Sequence, residues 1–278
     1  MSFSPWLVAI FAVVIFTMLL IDLGVVNKKS HQISNKEALR WTLIWIGLSM
    51  GFSALVWWQM GFAKFAEYQL SPTEFFSLTT SEGVNLNGYM IKPADFDPNK
   101  KYPVFMYVYG GPGSQNVVDS WGASRNMWFN YLAQKGYIIA CVDNRGTGLR
   151  GAEFKKMTYQ NLGHYETIDQ IEAAKWLAKQ SYVDAGRIGI WGWSYGGYMS
   201  SLCITKGADT FKMAIAVAPV TTWRYYDSIY TERYLRTPQE NAKGYDENSP
   251  INFADKLKGK FLLIHGTADD NVHFQNSV

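Results

Sequence analysis

The stretch Gly192-Trp193-Ser194-Tyr195-Gly196 decides the fold. It follows the strand-like run Arg187 to Trp191 and precedes an apolar, helix-period run, Tyr195 to Lys206. A tight strand-to-helix turn lifts Ser194 above a sheet, and Gly192 and Gly196 are required because side chains there would collide where strand and helix close. The same bend aims the next backbone N–H at a developing oxyanion. A lone Gly-x-Ser-x-Gly is a weak signal; its setting of strand, turn and helix makes it a strong one.

Outward from the elbow, strand-like runs alternate with helical ones. Tyr102 to Tyr109, Tyr137 to Asp143, Arg187 to Gly192, Ala214 to Ala218 and Phe261 to His265 read as strands. Met127 to Gln134, His164 to Gln180 and Tyr195 to Lys206 read as helices between them. Such alternation predicts a doubly wound, mainly parallel sheet with helices on both faces, an α/β-hydrolase fold, incomplete at its C-terminus. The continuous apolar run Phe261-Leu262-Leu263-Ile264 fits a strand buried on both surfaces.

A serine hydroxyl needs a histidine base, itself oriented by a carboxylate, and in this fold the chain order is Ser, Asp, His. After Ser194 the best acid lies in His265-Gly266-Thr267-Ala268-Asp269-Asp270-Asn271, at the carboxyl end of a strand where active sites gather. Asp269 is the expected acid; Asp270 suits better the capping of a helix starting near Asn271. Neither His265 nor His273 stands where the base belongs. A metal cluster of His265, Asp269, Asp270 and His273 is disfavoured, because a strand-to-loop segment does not converge those side chains. No metal and no cofactor is expected.

Residues 1–69 read differently from 70–278. Met1 to Ile21 and Trp41 to Ala63 contain no charged side chain, and about 20 apolar residues cross a bilayer as a helix. Two transmembrane helices, about 6–26 and 41–63, are therefore predicted ahead of the hydrolase part. Met1 to Pro5 lacks Lys and Arg, so the first is expected to be retained rather than cleaved. The intervening Asn27 to Arg40 carries Lys28, Lys29, Lys36 and Arg40 against Glu37 alone. The positive-inside rule puts that loop in the cytoplasm and the hydrolase part on the outer side, periplasmic or extracellular. Asp22 reads equally as an intramembrane ion ligand and as a group reaching for the interface.

A formal net charge of +3, with both signs interspersed, excludes nucleic acid as an expected partner. Cys141 and Cys203 are far apart in apolar surroundings, which suits buried thiols.

Two resemblances add to this reading. Ile21-Asp22-Leu23-Gly24-Val25, His31-Gln32-Ile33-Ser34, Glu37-Ala38-Leu39-Arg40-Trp41 and Phe62 to Gln69 resemble the start of the TerC family of integral membrane proteins, implying a metal-ion or tellurium-resistance transporter segment with membrane lipid as a partner. Tyr107 to Gln115, Asp143-Asn144-Arg145-Gly146, Gly192 to Tyr198, Tyr225 to Tyr234 and His265 to Phe274 resemble the dipeptidyl peptidase IV branch of the prolyl oligopeptidase family. That resemblance covers residues 70–278. It implies Ser194 as nucleophile, Asp269 as orienting acid, and an oxyanion hole made by the Tyr195 N–H and the Tyr109 hydroxyl. It further implies Val220, Trp223, Tyr226 and Tyr230 as walls of a pocket for proline or alanine, with Asn271 a donor to the substrate carbonyl.

The family's catalytic histidine and its β-propeller, with paired glutamates for a substrate's amino terminus, have no counterpart in this chain. The expectation is a membrane-tethered serine peptidase of this type, cleaving after Pro or Ala through an acyl-enzyme, truncated and of little activity as it stands. The alternatives are the transporter fragment, an esterase and a tethered peptide-binding module. Homodimerisation is left open.

Overall fold

The computed structural model describes residues 13–14, 16–17, 35–60 and 68–278, which fall into two compact units, Met1–Gln69 and Leu70–Val278. In the first unit one helix, α1 (Asn35–Met60), covers most of the second expected span. It starts at Asn35, so Lys36 and Arg40 belong to the helix rather than to a loop. Among the described residues no helix is long and apolar enough to cross a membrane. The first expected span, apart from Val13, Val14, Phe16 and Thr17, and Asp22 lie outside the described residues.

The second unit is built on a seven-stranded sheet. Its strands are β1 (Thr73–Thr79), β2 (Asn85–Ile91), β3 (Tyr102–Tyr107), β4 (Ile138–Asp143), β5 (Val183–Trp193), β6 (Met213–Val217) and β7 (Lys260–Ile264). Their spatial order is β1-β2-β4-β3-β5-β6-β7. From β4 to β7 all neighbours run parallel. β1 and β2 form an antiparallel hairpin that joins β4 antiparallel, an addition to the expected parallel sheet. Gly83, at φ 78°, closes that hairpin in a conformation only glycine adopts freely.

The parallel strands require crossovers, and the helices α2 (Ala123–Gln134), α3 (Ala152–Lys156), α4 (His164–Ala178) and α5 (Tyr195–Lys206) follow β3, β4 and β5. Alternate residues of β3 and β4 serve opposite faces. Val104, Met106, Ile138 and Ala140 pack with Leu177 of α4 and Leu202 of α5. Phe105, Tyr107, Ile139 and Cys141 pack with Phe129 and Ala133 of α2. Both cysteines are buried free thiols. Beyond β6 come the 3-10 turn Trp223–Tyr225 and helices α6 (Ser228–Leu235) and α7 (Ala242–Asp246).

β7 corrects one expectation. Phe261, Leu262, Leu263 and Ile264 were expected to be buried on both surfaces, yet they are 37, 51, 36 and 46 % exposed. β7 is the edge of the sheet, paired on one side only with β6.

Candidate active site

The carboxyl ends of β3, β5, β6 and β7 deliver the segments that carry Tyr109, Ser194, Val220 and Asp269. Ser194 caps α5 at φ 57°, ψ −116°, a left-handed backbone that a non-glycine residue holds only when its surroundings impose it. They do so here. The Val108 carbonyl lies where a side-chain carbon on either Gly192 or Gly196 would sit, and one on Gly197 would come within 2.7 Å of the Val217 carbonyl. The Ser194 N–H donates to Val217 at 2.8 Å, and the Ser194 carbonyl accepts from Tyr198 at 3.0 Å. Backbone closure on three sides thus enforces the elbow read from sequence, and its hydroxyl makes no hydrogen bond among the described residues.

Tyr195 is the first residue of α5. Its N–H therefore has no partner within the helix and lies beside Ser194, at the positive end of the helix. Tyr109 stands on the turn after β3, its ring 6.0 Å from that of Tyr195. Burial, then the neighbouring Tyr234, push the Tyr109 phenol above its ordinary range, so it stays a neutral donor. The turn is pinned from β4: Asn144 donates to the Gly110 carbonyl at 3.0 Å, and Asp143 accepts from the N–H groups of Asn116 and Val117.

The four residues that the family resemblance implies as pocket walls pack together. Val220 and Trp223 are buried, and Tyr226 and Tyr230 half-buried. Tyr230 stacks on Trp223 at 6.0 Å, and Tyr226 meets both edge-on at 5.9 and 5.4 Å. Asp227 caps α6, its carboxylate accepting from the Tyr230 N–H at 2.8 Å, which fixes the helix that carries Tyr230. Tyr226 donates to Oδ1 of Asn271 at 3.1 Å, turning the Asn271 amide N–H groups away from Tyr226 and leaving them to donate.

Asp269 follows β7, but the capping role expected of Asp270 falls to Asp269. Its Oδ1 accepts from the N–H groups of Asn271 and Val272, both at 3.0 Å. The expected helix near Asn271 is a turn, with a 3-10 segment from Phe274 to Ser277. A carboxylate held by two N–H groups is fixed in place, which an orienting acid requires. Its Oδ2 lies 3.4 Å from Nε2 of His265. That histidine is occupied, with Nδ1 2.6 Å from the Ser277 hydroxyl and Nε2 2.8 Å from the Val272 carbonyl. Exposed His273 accepts from the Gln275 N–H. No histidine among the described residues hydrogen-bonds Ser194. Among the described residues there is also no group of three or more His, Cys, Asp or Glu able to hold a metal ion.

Sequence reasoning overlooked two neighbours of the nucleophile. Trp193 is 63 % exposed and flanks Ser194, offering a flat surface at the rim. Glu166, on α4, is fully buried and accepts from the Tyr195 hydroxyl at 2.8 Å. Burial, the largest cause, lifts its carboxyl from 4.5 to about 7, and Asp169 adds to the rise. A glutamate within a polar helix start reads as a solvated face, and nothing in its spacing marks it otherwise.

Comparisons with known proteins bear on the fold and the family. The profile of the prolyl oligopeptidase family matches residues 123–278. A probable dipeptidyl-aminopeptidase B of Coccidioides posadasii is 47% identical over 221 residues, 78% of this chain and 24% of that protein. The corresponding protein of Sclerotinia sclerotiorum is 48% identical over 221 residues, with the same coverage. The crystal structure of Porphyromonas gingivalis dipeptidyl peptidase 4 superposes with a TM-score of 0.72 at 52% identity, covering 75% of this chain and 29% of that one. A putative dipeptidyl aminopeptidase IV from Bacteroides ovatus gives 0.72 at 41%, covering 75% and 30%. The chain spans about a quarter of the length of the curated relatives it matches. The TerC resemblance of residues 1–69 gains no support from these matches. A family profile that covers more than half of the sequence, on a fold with the expected elbow, places this chain in the prolyl oligopeptidase family.

Proposed function

We propose that residues 70–278 form the catalytic part of a serine peptidase of the dipeptidyl peptidase type, acting on peptides with proline or alanine before the scissile bond. The observation that carries this reading is the positive-φ backbone of Ser194 at the start of α5, whose first residue, Tyr195, packs its ring against Trp223. Ser194 Oγ bonds the scissile carbonyl carbon, its proton passes to solvent water, and the C–N bond breaks as water returns a proton to the leaving amine. The oxyanion forms toward the Tyr195 N–H and the Tyr109 hydroxyl, and water later releases the acyl group. Trp223, Tyr226 and Tyr230 present apolar faces that suit a pyrrolidine ring, and Asn271 presents an amide N–H to the preceding carbonyl.

Because no histidine among the described residues bonds Ser194, these residues by themselves bind prolyl ligands and turn them over slowly; the residual rate from an oxyanion hole alone is on the order of 10³-fold over water. The same observation favours, as a second reading, a module that holds prolyl peptides without cleaving them. Membrane tethering by residues 1–69 belongs to the proposal, supported by the charge-free stretches Met1 to Ile21 and Trp41 to Ala63.

Titration of the full chain with a glycyl-boroproline, which forms a tetrahedral adduct on a serine, tests the reading. Binding that is lost in Ser194→Ala while glycyl-prolinamide binding persists supports a peptidase centre. Equal boronate binding by both chains overturns it in favour of the binding module.

A further inference from the structure

We propose that Glu166 is a positioning residue for the oxyanion hole, holding the Tyr195 ring so that the Tyr195 N–H keeps its aim at Ser194. The inference rests on the peptidase reading and adds to it a group remote from the substrate.

Glu166 lies on α4, in the layer behind α5, with no access to solvent. A carboxyl so placed is costly unless it is matched, and one of its oxygens, Oε2, has no hydrogen-bond partner among the described residues. The other accepts from the Tyr195 hydroxyl at 2.8 Å. A group merely filling the core would be apolar; this one is buried at a cost, and the side chain that hydrogen-bonds it belongs to the residue after the nucleophile.

Tyr195 transmits that contact in three directions. Its ring meets Trp223 at 5.5 Å, Tyr198 at 5.2 Å and Tyr109 at 6.0 Å. A side-chain carbon on Gly111 would come within 3.1 Å of the Tyr195 ring, so the turn bearing Tyr109 rests directly against it. One hydroxyl-to-carboxyl bond thus fixes the ring that touches both oxyanion donors and the pocket wall. Trp223 has a second brace, Tyr230 stacked on it, whereas among the described residues the Tyr195 hydroxyl bonds Glu166 alone. Loss of Glu166 should therefore disturb the oxyanion hole more than the pocket.

The test uses the full chain and two probes. Glycyl-boroproline reports the tetrahedral, oxyanion-dependent state, and glycyl-prolinamide reports the pocket. Glu166→Leu removes the acceptor, Tyr195→Phe removes only the donor, and Glu166→Gln keeps an acceptor at the same position. The expected result is boronate affinity about tenfold weaker in Glu166→Leu and Tyr195→Phe, a fraction of what full loss of a donor costs. Amide affinity stays within about twofold, Glu166→Gln retains boronate binding, and the double variant is no worse than either single one. Boronate affinity unchanged in Tyr195→Phe, which deletes one atom and keeps the fold, overturns the assignment. So does an equal loss of both probes, which marks a packing role alone. A wild-type chain that binds the amide but no boronate at Ser194 instead overturns the peptidase reading and this assignment with it.

Discussion

The elbow at Ser194 and the loop at Asp269 sit at the same edge of one sheet and are held in opposite ways. Around Ser194 the backbone is closed in by Val108, Val217 and Pro219, and α5 behind it is buried from Tyr195 to Thr205. Asp269 follows a strand whose side chains are exposed, and its place is set by local hydrogen bonds to Asn271 and Val272. The difference teaches that nucleophile and oxyanion donors are fixed by the global packing of the domain, while the acid is fixed by its own turn. Damage at the first should be felt throughout; damage at the second should stay local.

The largest effect belongs to the elbow. Gly196→Ala places a side-chain carbon against the Val108 carbonyl, a backbone group that cannot give way as a flexible side chain would. Chemical denaturation should show a loss of about 3 kcal/mol or more, or no folded second unit. A loss under 1 kcal/mol would mean that the backbone there is not closed.

Next comes Glu166, whose carboxyl is lifted from 4.5 to about 7 by burial. A raised carboxyl favours the protonated form in the fold, so stability is highest below 4.5, falls as pH rises toward 7 and stays reduced above it. The full difference corresponds to about 3 kcal/mol. Glu166→Gln has no such proton to lose. Between pH 5 and 8 the wild type should lose stability relative to this variant, and parallel profiles would show that Glu166 is not buried uncharged.

At the loop, Asp269→Ala removes the acceptor of two N–H groups. A cost of about 1 kcal/mol is expected, confined to the turn: amide exchange at Asn271 and Val272 should quicken while α5 stays protected. A global loss comparable to that of Gly196→Ala would erase the contrast. The smallest effect concerns β7. An unpaired edge carrying Phe261, Leu262, Leu263 and Ile264 at the surface is an adhesive one, and the chain should self-associate at high concentration. Leu262→Lys should reduce the sedimenting species while shifting stability by no more than about 0.5 kcal/mol. Unchanged association would place the contact elsewhere.

The same contrast separates what the sequence discloses from what it conceals. The elbow is legible because two glycines, a serine, an apolar strand and an apolar helix all answer one steric demand. β3 to β7 are legible to within a few residues because each is an apolar run set between helical periods. The β1 and β2 hairpin is not, since Thr73-Glu74-Phe75-Phe76 and Asn85-Leu86-Asn87-Gly88 mix polar and apolar residues without a continuous run. The exposure of Phe261 to Ile264 is hidden too: position in the sheet, not composition, decides it. Asp269 and Asp270 are adjacent acids, and only coordinates tell which one accepts the turn's N–H groups. Glu166 is the deepest omission, because the partner that explains its burial lies 29 positions along the chain.

The most direct test of the central claim is a structure of the full chain with glycyl-boroproline bound. Boron bonded to Ser194 Oγ, with one boronate oxygen about 3 Å from both the Tyr195 N–H nitrogen and the Tyr109 hydroxyl, is the expected result. Boron on another residue, or that oxygen turned toward solvent away from Tyr195 and Tyr109, would contradict it.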